Sequence, residues 1–256
     1  MTGANKGTLR VAWGAAMTSK ILFVLVCLAA VLGFQNRDFI RQSLFGPDLT
    51  FVAWPADDRF RMIEGAGLSA AVDLLTVGVD RPEPVAVDVC TTLPRDPSGE
   101  TVQISAFHDY YCPNCREVLL ALEDIAEADG VALTVFDWPI FGLASEQAAR
   151  AAHAAGLQDA RPAFQSRMLG TTFLPTERYL NDLSQSLGLD PAQFRSDMRA
   201  PSADAEIAAT RALANTLGLR GTPSVIIGGT VIEGAVTEAK LRAVIAAERN
   251  VSPPGC

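Results

Sequence analysis

Two cysteines spaced Cys112-Pro113-Asn114-Cys115 are the residues of this chain best suited to chemistry. Two thiols this close along a chain exchange electrons with other thiols and disulfides, and the attacking species is the thiolate. The flanking pattern places the pair on a corner between two elements. Thr101–Phe107 alternates as a strand, with Val102, Ile104 and Ala106 on one face. From Pro113 onward, Val118, Leu119, Leu122 and Ile125 recur at helical spacing. Cys112 then caps the open end of a helix, where unsatisfied N–H groups and the helix dipole favour a negative sulfur.

The elements that must hold this corner follow in order. Val131–Phe136 reads as a second strand, and residues 144–218 read almost wholly as helices. Ser145, Thr176 and Asp190 are N-cap candidates, Ser202 opens a further helix, and Gly218 suits a left-handed helix stop. Ser224–Ile227, Gly228-Gly229 and Thr230–Ile232 form a tight hairpin, and Thr237 starts a last helix. The order is strand, helix, strand, helical block, strand, strand, helix. That is an α/β chain with a thioredoxin-like fold and a helical insertion at about 144–218, in a domain spanning 99–248 with a tail at 249–256. Residues 35–98 form an extension whose pattern assigns no fold, with linker-like prolines and glycine at Arg81–Pro84 and Pro94–Gly99.

The remaining sequence sets the compartment and the partners. The chain of 256 residues carries a net charge of −8, and Lys6, Arg10 and Lys20 stand in residues 1–34 without an acid, so the rest is more acidic still. Such a surface argues against nucleic acid as a partner. Ile21–Phe34 is an unbroken apolar run behind Lys20, which reads as a signal core or signal anchor. No small-x-small cleavage site follows, so an uncleaved anchor is favoured over a cleaved signal, with the rest of the chain outside the cytoplasm. Cys27, inside this run, reads as a buried apolar cysteine. Disulfides persist outside the cytoplasm, so Cys90 and Cys256 are a candidate structural pair besides Cys112 and Cys115. Only His108 and His153 are available as imidazole ligands, and no metal site is expected.

The stretches FHDYYCPNC (107–115), WPIFGLASEQAARAAHAA (138–155) and ALANTLGLRGTPSVIIGGTVIEGA (212–235) resemble the DsbA-like family of exported thiol–disulfide oxidoreductases. The resemblance covers roughly residues 100–248. It implies that Cys112 is the nucleophile, Cys115 its buried partner, and Pro113 and Asn114 the dipeptide that tunes them. It implies a cis-proline at Pro223, with Thr222 before it forming an edge for substrate peptides. It also implies cysteine-containing exported proteins as substrates, a membrane redox partner that resets the pair, and no organic cofactor; with the N-terminal anchor read above, the expected location is periplasmic and tethered to the inner membrane. Two departures stand out. Ala106 occupies a place where many relatives carry a proton-handling acid, and Asn114 replaces the histidine of the best-known oxidants.

Less specific residues have plainer readings. Asp109, Tyr110 and Tyr111 shape the loop before the helix. His108 reads as a loop or half-buried side chain, with a proton donor as the alternative, and His153 as structural. Trp138 and Phe141 read as core, with the rim of an apolar groove as the alternative. Beside the oxidoreductase stand two rival functions: a reductase or isomerase on the same fold, and a non-enzymatic exported chaperone or assembly factor.

Overall fold

The computed structural model describes residues 49–64, 87–171, 175–249 and 251. The expected leader, Cys27, Cys256 and the linker at 81–84 lie outside these residues. All described residues fall in one compact unit that begins at Leu49.

Six strands form one sheet: β1 (Phe51–Ala53), β2 (Arg61–Ile63), β3 (Gln103–His108), β4 (Ala132–Asp137), β5 (Ser224–Ile227) and β6 (Thr230–Glu233), in the order β1-β2-β6-β5-β3-β4. β3 and β4 run parallel, and β5 is antiparallel to both β3 and β6. The helices are α1 (Val89–Thr92), α2 (Pro113–Asp129), α3 (Leu143–Gly156), α4 (Arg161–Gly170), α5 (Glu177–Ser186), α6 (Pro191–Asp197), α7 (Pro201–Thr216) and α8 (Glu238–Glu248). The thioredoxin-like fold with a helical insertion is what the sequence predicts, and α3 to α7 make the insertion.

Alternation along β3 sorts the core into layers. Ile104 and Ala106 pack with Val118, Leu119, Leu122 and Ile125 of α2 and Leu241, Val244 and Ile245 of α8. Phe107 faces the other way, onto Trp138 and Leu213, Ala214 and Leu217 of α7. The insertion has its own core of small and aromatic residues, including Ala148, Ala151, Phe164, Met168, Leu180 and Phe194. Tyr110, from the loop before α2, is buried in that core, so the redox corner reaches into both halves of the molecule.

Part of the extension that the sequence leaves without a fold joins the sheet. β1 and β2 pair antiparallel, and β2 runs parallel to β6 through Arg61↔Thr230 and Met62↔Val231. The connecting turn reaches across to α7. Trp54 donates its indole N–H to the Leu217 carbonyl at 2.7 Å, satisfying one of the free carbonyls at the helix end. Gly218 follows with φ +68°, and a Cβ there would meet the Ala56 Cβ at 2.4 Å, so conformation and close approach both require glycine.

The expected caps divide. Thr176, Asp190 and Thr237 accept hydrogen bonds from first-turn N–H groups of α5, α6 and α8. Ser145 does not cap α3, which begins two residues earlier at Leu143 behind Gly142. Its hydroxyl donates to Asp109 instead. Ser202 likewise lies inside α7, which opens with Pro201 behind Ala200. Proline suits that first position because its missing N–H would have had no partner there.

Candidate redox site

Cys112 is the N-cap of α2, in extended backbone (φ −81°, ψ 117°), and Pro113 fills the first helical position. The Cys115 N–H donates to the Cys112 carbonyl at 3.2 Å, closing the first turn and stacking the two residues. Cys112 is 5% exposed and Cys115 0%, and both are free thiols. Only the first sulfur offers any surface to an incoming group.

Their electrostatics diverge accordingly. A hydrogen bond from the Cys115 thiol lowers the Cys112 pKa to about 6, aided by Thr222 and the backbone N–H groups of Cys115 and Asn114, against the opposing effect of burial. At neutral pH Cys112 is therefore mostly thiolate. Burial pushes the Cys115 thiol up, and the neighbouring Cys112 sulfur pushes it further. Cys115 remains protonated until a reaction opens around it.

The loop before α2 is tied at Asp109, Tyr111 and Cys112. The Asp109 carboxylate accepts from the N–H groups of Tyr111 at 2.7 Å, Ile140 at 2.7 Å and Phe141 at 3.2 Å, and from the Ser145 hydroxyl. Its carbonyl accepts from the Cys112 N–H at 3.0 Å. The Tyr111 hydroxyl donates to the Pro175 carbonyl at 2.5 Å. The three residues read as loop-shaping do shape it, and Asp109 also fixes the 140–145 segment. Trp138 is buried as expected, but Phe141 is 54% exposed, beside exposed Ile140 and Leu143, and is not core. The backbone of Ile140 and Phe141 is held by Asp109, which leaves their side chains turned to solvent.

Facing the cysteines, the Thr222–Pro223 peptide is cis. In its protonated form the Cys112 thiol donates to the Thr222 carbonyl at 3.4 Å. The Thr222 hydroxyl is buried with no partner in this geometry. It favours the ionised form of both cysteines, as a donor placed near both sulfurs must.

His108 departs from its expected place. It is the last residue of β3, fully buried, with its Nε2–H donating to the Asp137 Oδ1 at 2.7 Å. Asp137 also accepts from Arg161 at 2.7 Å, Arg161 reaches Glu206 at 2.5 Å, and Glu206 pairs with His153 at 2.5 Å. His153 Nε2 lies 3.0 Å from the Ser202 hydroxyl. This chain of charges joins the sheet to α3, α4 and α7, and it accounts for both histidines. Burial alone would raise the Asp137 pKa, but the hydrogen bond and charge of His108 and the charge of Arg161 outweigh it and hold the carboxyl low. Ala106, which offers no proton-handling acid, is buried among the apolar residues of α2 and α8.

Cys90 is the second residue of the short helix α1, its N–H held by the N-cap Asp88, and is disulfide-bonded. It lines a cavity of about 70 Å³ with Leu93, Val102, Glu248 and Val251.

The comparisons agree with this geometry. Residues 103–246 match the family described as DSBA-like thioredoxin domain. A thioredoxin-like oxidoreductase from Silicibacter pomeroyi DSS-3 is 34% identical, with a TM-score of 0.56 over 62% of this chain and 92% of that one. A periplasmic thioredoxin-like protein from Salmonella enterica serovar Typhimurium is 25% identical, with a TM-score of 0.56 over 64% and 97%. The thiol-disulfide exchange protein alpha-DsbA2 from Wolbachia pipientis is 26% identical, with a TM-score of 0.54 over 58% and 82%. Comparison with curated proteins gives no match. A dithiol at a helix mouth facing a cis-proline, on a matching stretch of 144 residues, places this chain in the DSBA-like thioredoxin family of thiol–disulfide oxidoreductases.

Proposed function

We propose that Cys112 and Cys115 are the redox pair of this oxidoreductase and that it exchanges disulfides with cysteines of other exported proteins. The observation that carries this is the opposite placement of the two sulfurs: Cys112 at the helix mouth with a pKa of about 6, Cys115 buried behind it with its pKa raised. In the oxidising direction a substrate thiolate attacks Cys112 of the Cys112–Cys115 disulfide. That bond breaks, a substrate–Cys112 disulfide forms, and Cys115 leaves and takes a proton. The substrate's second thiolate then attacks its own sulfur in the mixed disulfide and expels Cys112 as a thiolate. Two electrons pass from substrate to enzyme. A low-pKa sulfur is the better leaving group, so release of oxidised substrate is the step that Cys112 accelerates. Pro113 and Asn114 tune the pair, and Thr222 and Pro223 form the edge against which a substrate peptide lies.

Trapping the thiols in cells with an alkylating reagent tests the reading. A mostly oxidised pair supports the oxidase, a mostly reduced pair redirects it to a reductase or isomerase, and absence of any exchange overturns it in favour of a chaperone or assembly factor.

The location proposed is extracytoplasmic. The periplasmic relative and the apolar run at 21–34 behind Lys20 support it, and an uncleaved run would tether the domain to the inner membrane, near a membrane partner that resets the pair. No helix among the described residues is long and apolar enough to cross a membrane. Protease protection of tagged cells, with and without residues 1–34, separates tether from cleaved signal.

Cys256 is the proposed partner of Cys90. Cys112 and Cys115 are free, and Val251 lines the same cavity as Cys90, only five residues before Cys256. Non-reducing peptide mapping that finds Cys90 joined to Cys27 instead would end this assignment.

A further inference from the structure

A carboxylate has two oxygens, and those of Asp109 hold two different parts of the chain. Oδ1 accepts from the Tyr111 N–H at 2.7 Å, one residue before Cys112. Oδ2 accepts from the Ile140 N–H at 2.7 Å, the Phe141 N–H at 3.2 Å and the Ser145 hydroxyl. The Asp109 carbonyl adds a bond from the Cys112 N–H at 3.0 Å. Asp109 is buried, and burying a carboxylate is costly unless its lone pairs are filled; here four donors fill them. Tyr111 has a second tie, its hydroxyl on the Pro175 carbonyl. The Ile140 and Phe141 N–H groups have no other acceptor among the described residues.

What this carboxylate holds in place is an exposed apolar surface. Leu143, at 80%, and Phe141 are the most exposed large apolar side chains among the described residues, and Ile140 stands beside them. Three such side chains within four residues are a patch rather than scattered exposure, and such a patch marks a surface that another molecule covers. Its backbone is one carboxylate away from the backbone of Tyr111, so it is continuous with the place where a substrate sulfur must arrive. The partner that fits is an extended peptide with a bulky apolar side chain beside its cysteine. Disulfide exchange needs the incoming sulfur in line with the bond it breaks. A surface rigidly joined to Cys112 turns the binding of such a peptide into that alignment.

We propose that Asp109 is a positioning residue that couples this apolar surface to Cys112: an apolar side chain of the substrate rests on Ile140, Phe141 and Leu143, and the carboxylate keeps that surface in place relative to the sulfur. This rests on the redox reading of Cys112. Asparagine has the shape of aspartate but one oxygen instead of two. Turned toward the three donors of the 140–145 segment, that oxygen keeps their bonds and sets the amide NH2 against the Tyr111 N–H. The surface stays, and its link to Cys112 is cut.

The test uses purified full-length protein, oxidised at Cys112–Cys115, and follows its reduction by two thiols: glutathione, and a peptide with two cysteines and a phenylalanine beside the first. Asp109→Asn is expected to lower the maximal rate with the peptide by about ten- to a hundredfold, with half-saturation and the glutathione rate within about threefold of wild type. Phe141→Ser is expected to cost about tenfold in peptide efficiency, shared between maximal rate and half-saturation. In the double variant its effect on the maximal rate disappears, because an uncoupled surface has no alignment left to lose. Ser145→Ala removes a single donor and serves where Asp109→Asn does not fold; it should lower the peptide rate alone by about two- to fivefold. Thr237→Ala, which uncaps α8, is expected to lower the melting temperature and leave both rates where the wild type has them. Equal losses with peptide and glutathione, effects of Asp109→Asn and Phe141→Ser that simply multiply, or a selective peptide loss in Thr237→Ala would overturn the proposal. Wild-type peptide rates in folded Asp109→Asn and Ser145→Ala defeat the proposal alone, whereas a wild-type protein that exchanges with neither thiol defeats the redox reading and the proposal together.

Discussion

Two groups of titratable side chains in this protein are treated in opposite ways. Around β4 and the insertion, His108, Asp137, Arg161, Glu206 and His153 form one run of hydrogen bonds and ion pairs, each held by the next. At the mouth of α2, Cys112 and Cys115 share hydrogen bonds, and hydrogen bonding rather than an opposite charge chiefly lowers the first sulfur. The first group is closed by its own hydrogen bonds and ion pairs and joins the sheet to the insertion. The second is left unbalanced, with a helix end and a threonine to favour one negative sulfur and burial to forbid the other. A paired network holds a shape, and an asymmetric pair stores a difference that chemistry can use. The comparison predicts that damage to the sulfurs abolishes activity at little cost in stability, and that damage to the network does the reverse.

The largest effect is expected at the sulfurs. Cys112→Ser should lower the rate of disulfide exchange by roughly a thousandfold or more, to the uncatalysed background, since a hydroxyl does not ionise near pH 7. Its melting temperature should stay within a few degrees of that of the reduced wild type. Cys115→Ser should keep the attack and lose the resolution, so adducts with substrate proteins accumulate on non-reducing gels. Activity retained in Cys112→Ser would reverse the assignment of roles.

Asp137→Asn is the matching cut in the network. It leaves buried His108 and half-buried Arg161 without their carboxylate, and breaking a buried pair in this way costs about 3–5 kcal/mol. Thermal melting at pH 7 should drop by roughly 10 °C, while the folded fraction still exchanges disulfides. The dependence on acid has a definite sign. The folded-state pKa of Asp137 lies below its ordinary value, so its contribution is full above about pH 4 and fades as the pH falls through the depressed value. The stability gap between wild type and Asp137→Asn should therefore narrow on acidification. A constant gap would mean that the carboxylate charge is not what holds the two halves together.

How far the sequence discloses these two groups follows from their spacing. The redox pair is legible because both sulfurs fall within four residues, on a boundary between period two and period 3.6. The caps at Thr176, Asp190 and Thr237 are legible for the same local reason. The network is not, because Asp137 is 29 residues from His108 and 24 from Arg161, and nothing in a single strand or helix marks its polar residues as partners. Three-residue strands such as β1 and β2 are too short to display a period, so their place beside β6 stays hidden until Arg61 meets Thr230 and Glu248. Ser145 fits a cap pattern that Asp109 claims first.

A finer measurement separates the two sulfurs themselves. Alkylation of reduced protein by iodoacetamide should modify Cys112 with a half-maximal rate near pH 6, falling about tenfold for each pH unit below that value. Cys115 should remain unmodified over the same range because burial keeps it a thiol. The reduced form correspondingly gains stability over the oxidised form as pH rises from about 6 toward the ordinary thiol range, and loses it as pH falls through about 6. Equal alkylation of both cysteines in the folded protein would erase the asymmetry on which the exchange scheme depends.

The smallest expected effect is at Asn114, and it asks whether the imbalance at the sulfurs can be deepened. Asn114 is exposed, in the first turn of α2, and a neutral amide adds no charge to the helix mouth. A histidine there can donate to the Cys112 thiolate or place a positive charge beside it, and either interaction favours the reduced enzyme over the disulfide. Asn114→His should therefore make the pair a stronger oxidant by a few-fold in its equilibrium with glutathione, with the alkylation midpoint moving below pH 6. The melting temperature of the oxidised form should not follow, because the disulfide has no thiolate for the histidine to meet. A few-fold shift in the opposite direction would mean that the exposed side chain acts on Cys112 through helix packing rather than through charge, and the asymmetry of the pair would then belong to Thr222 and Cys115 alone.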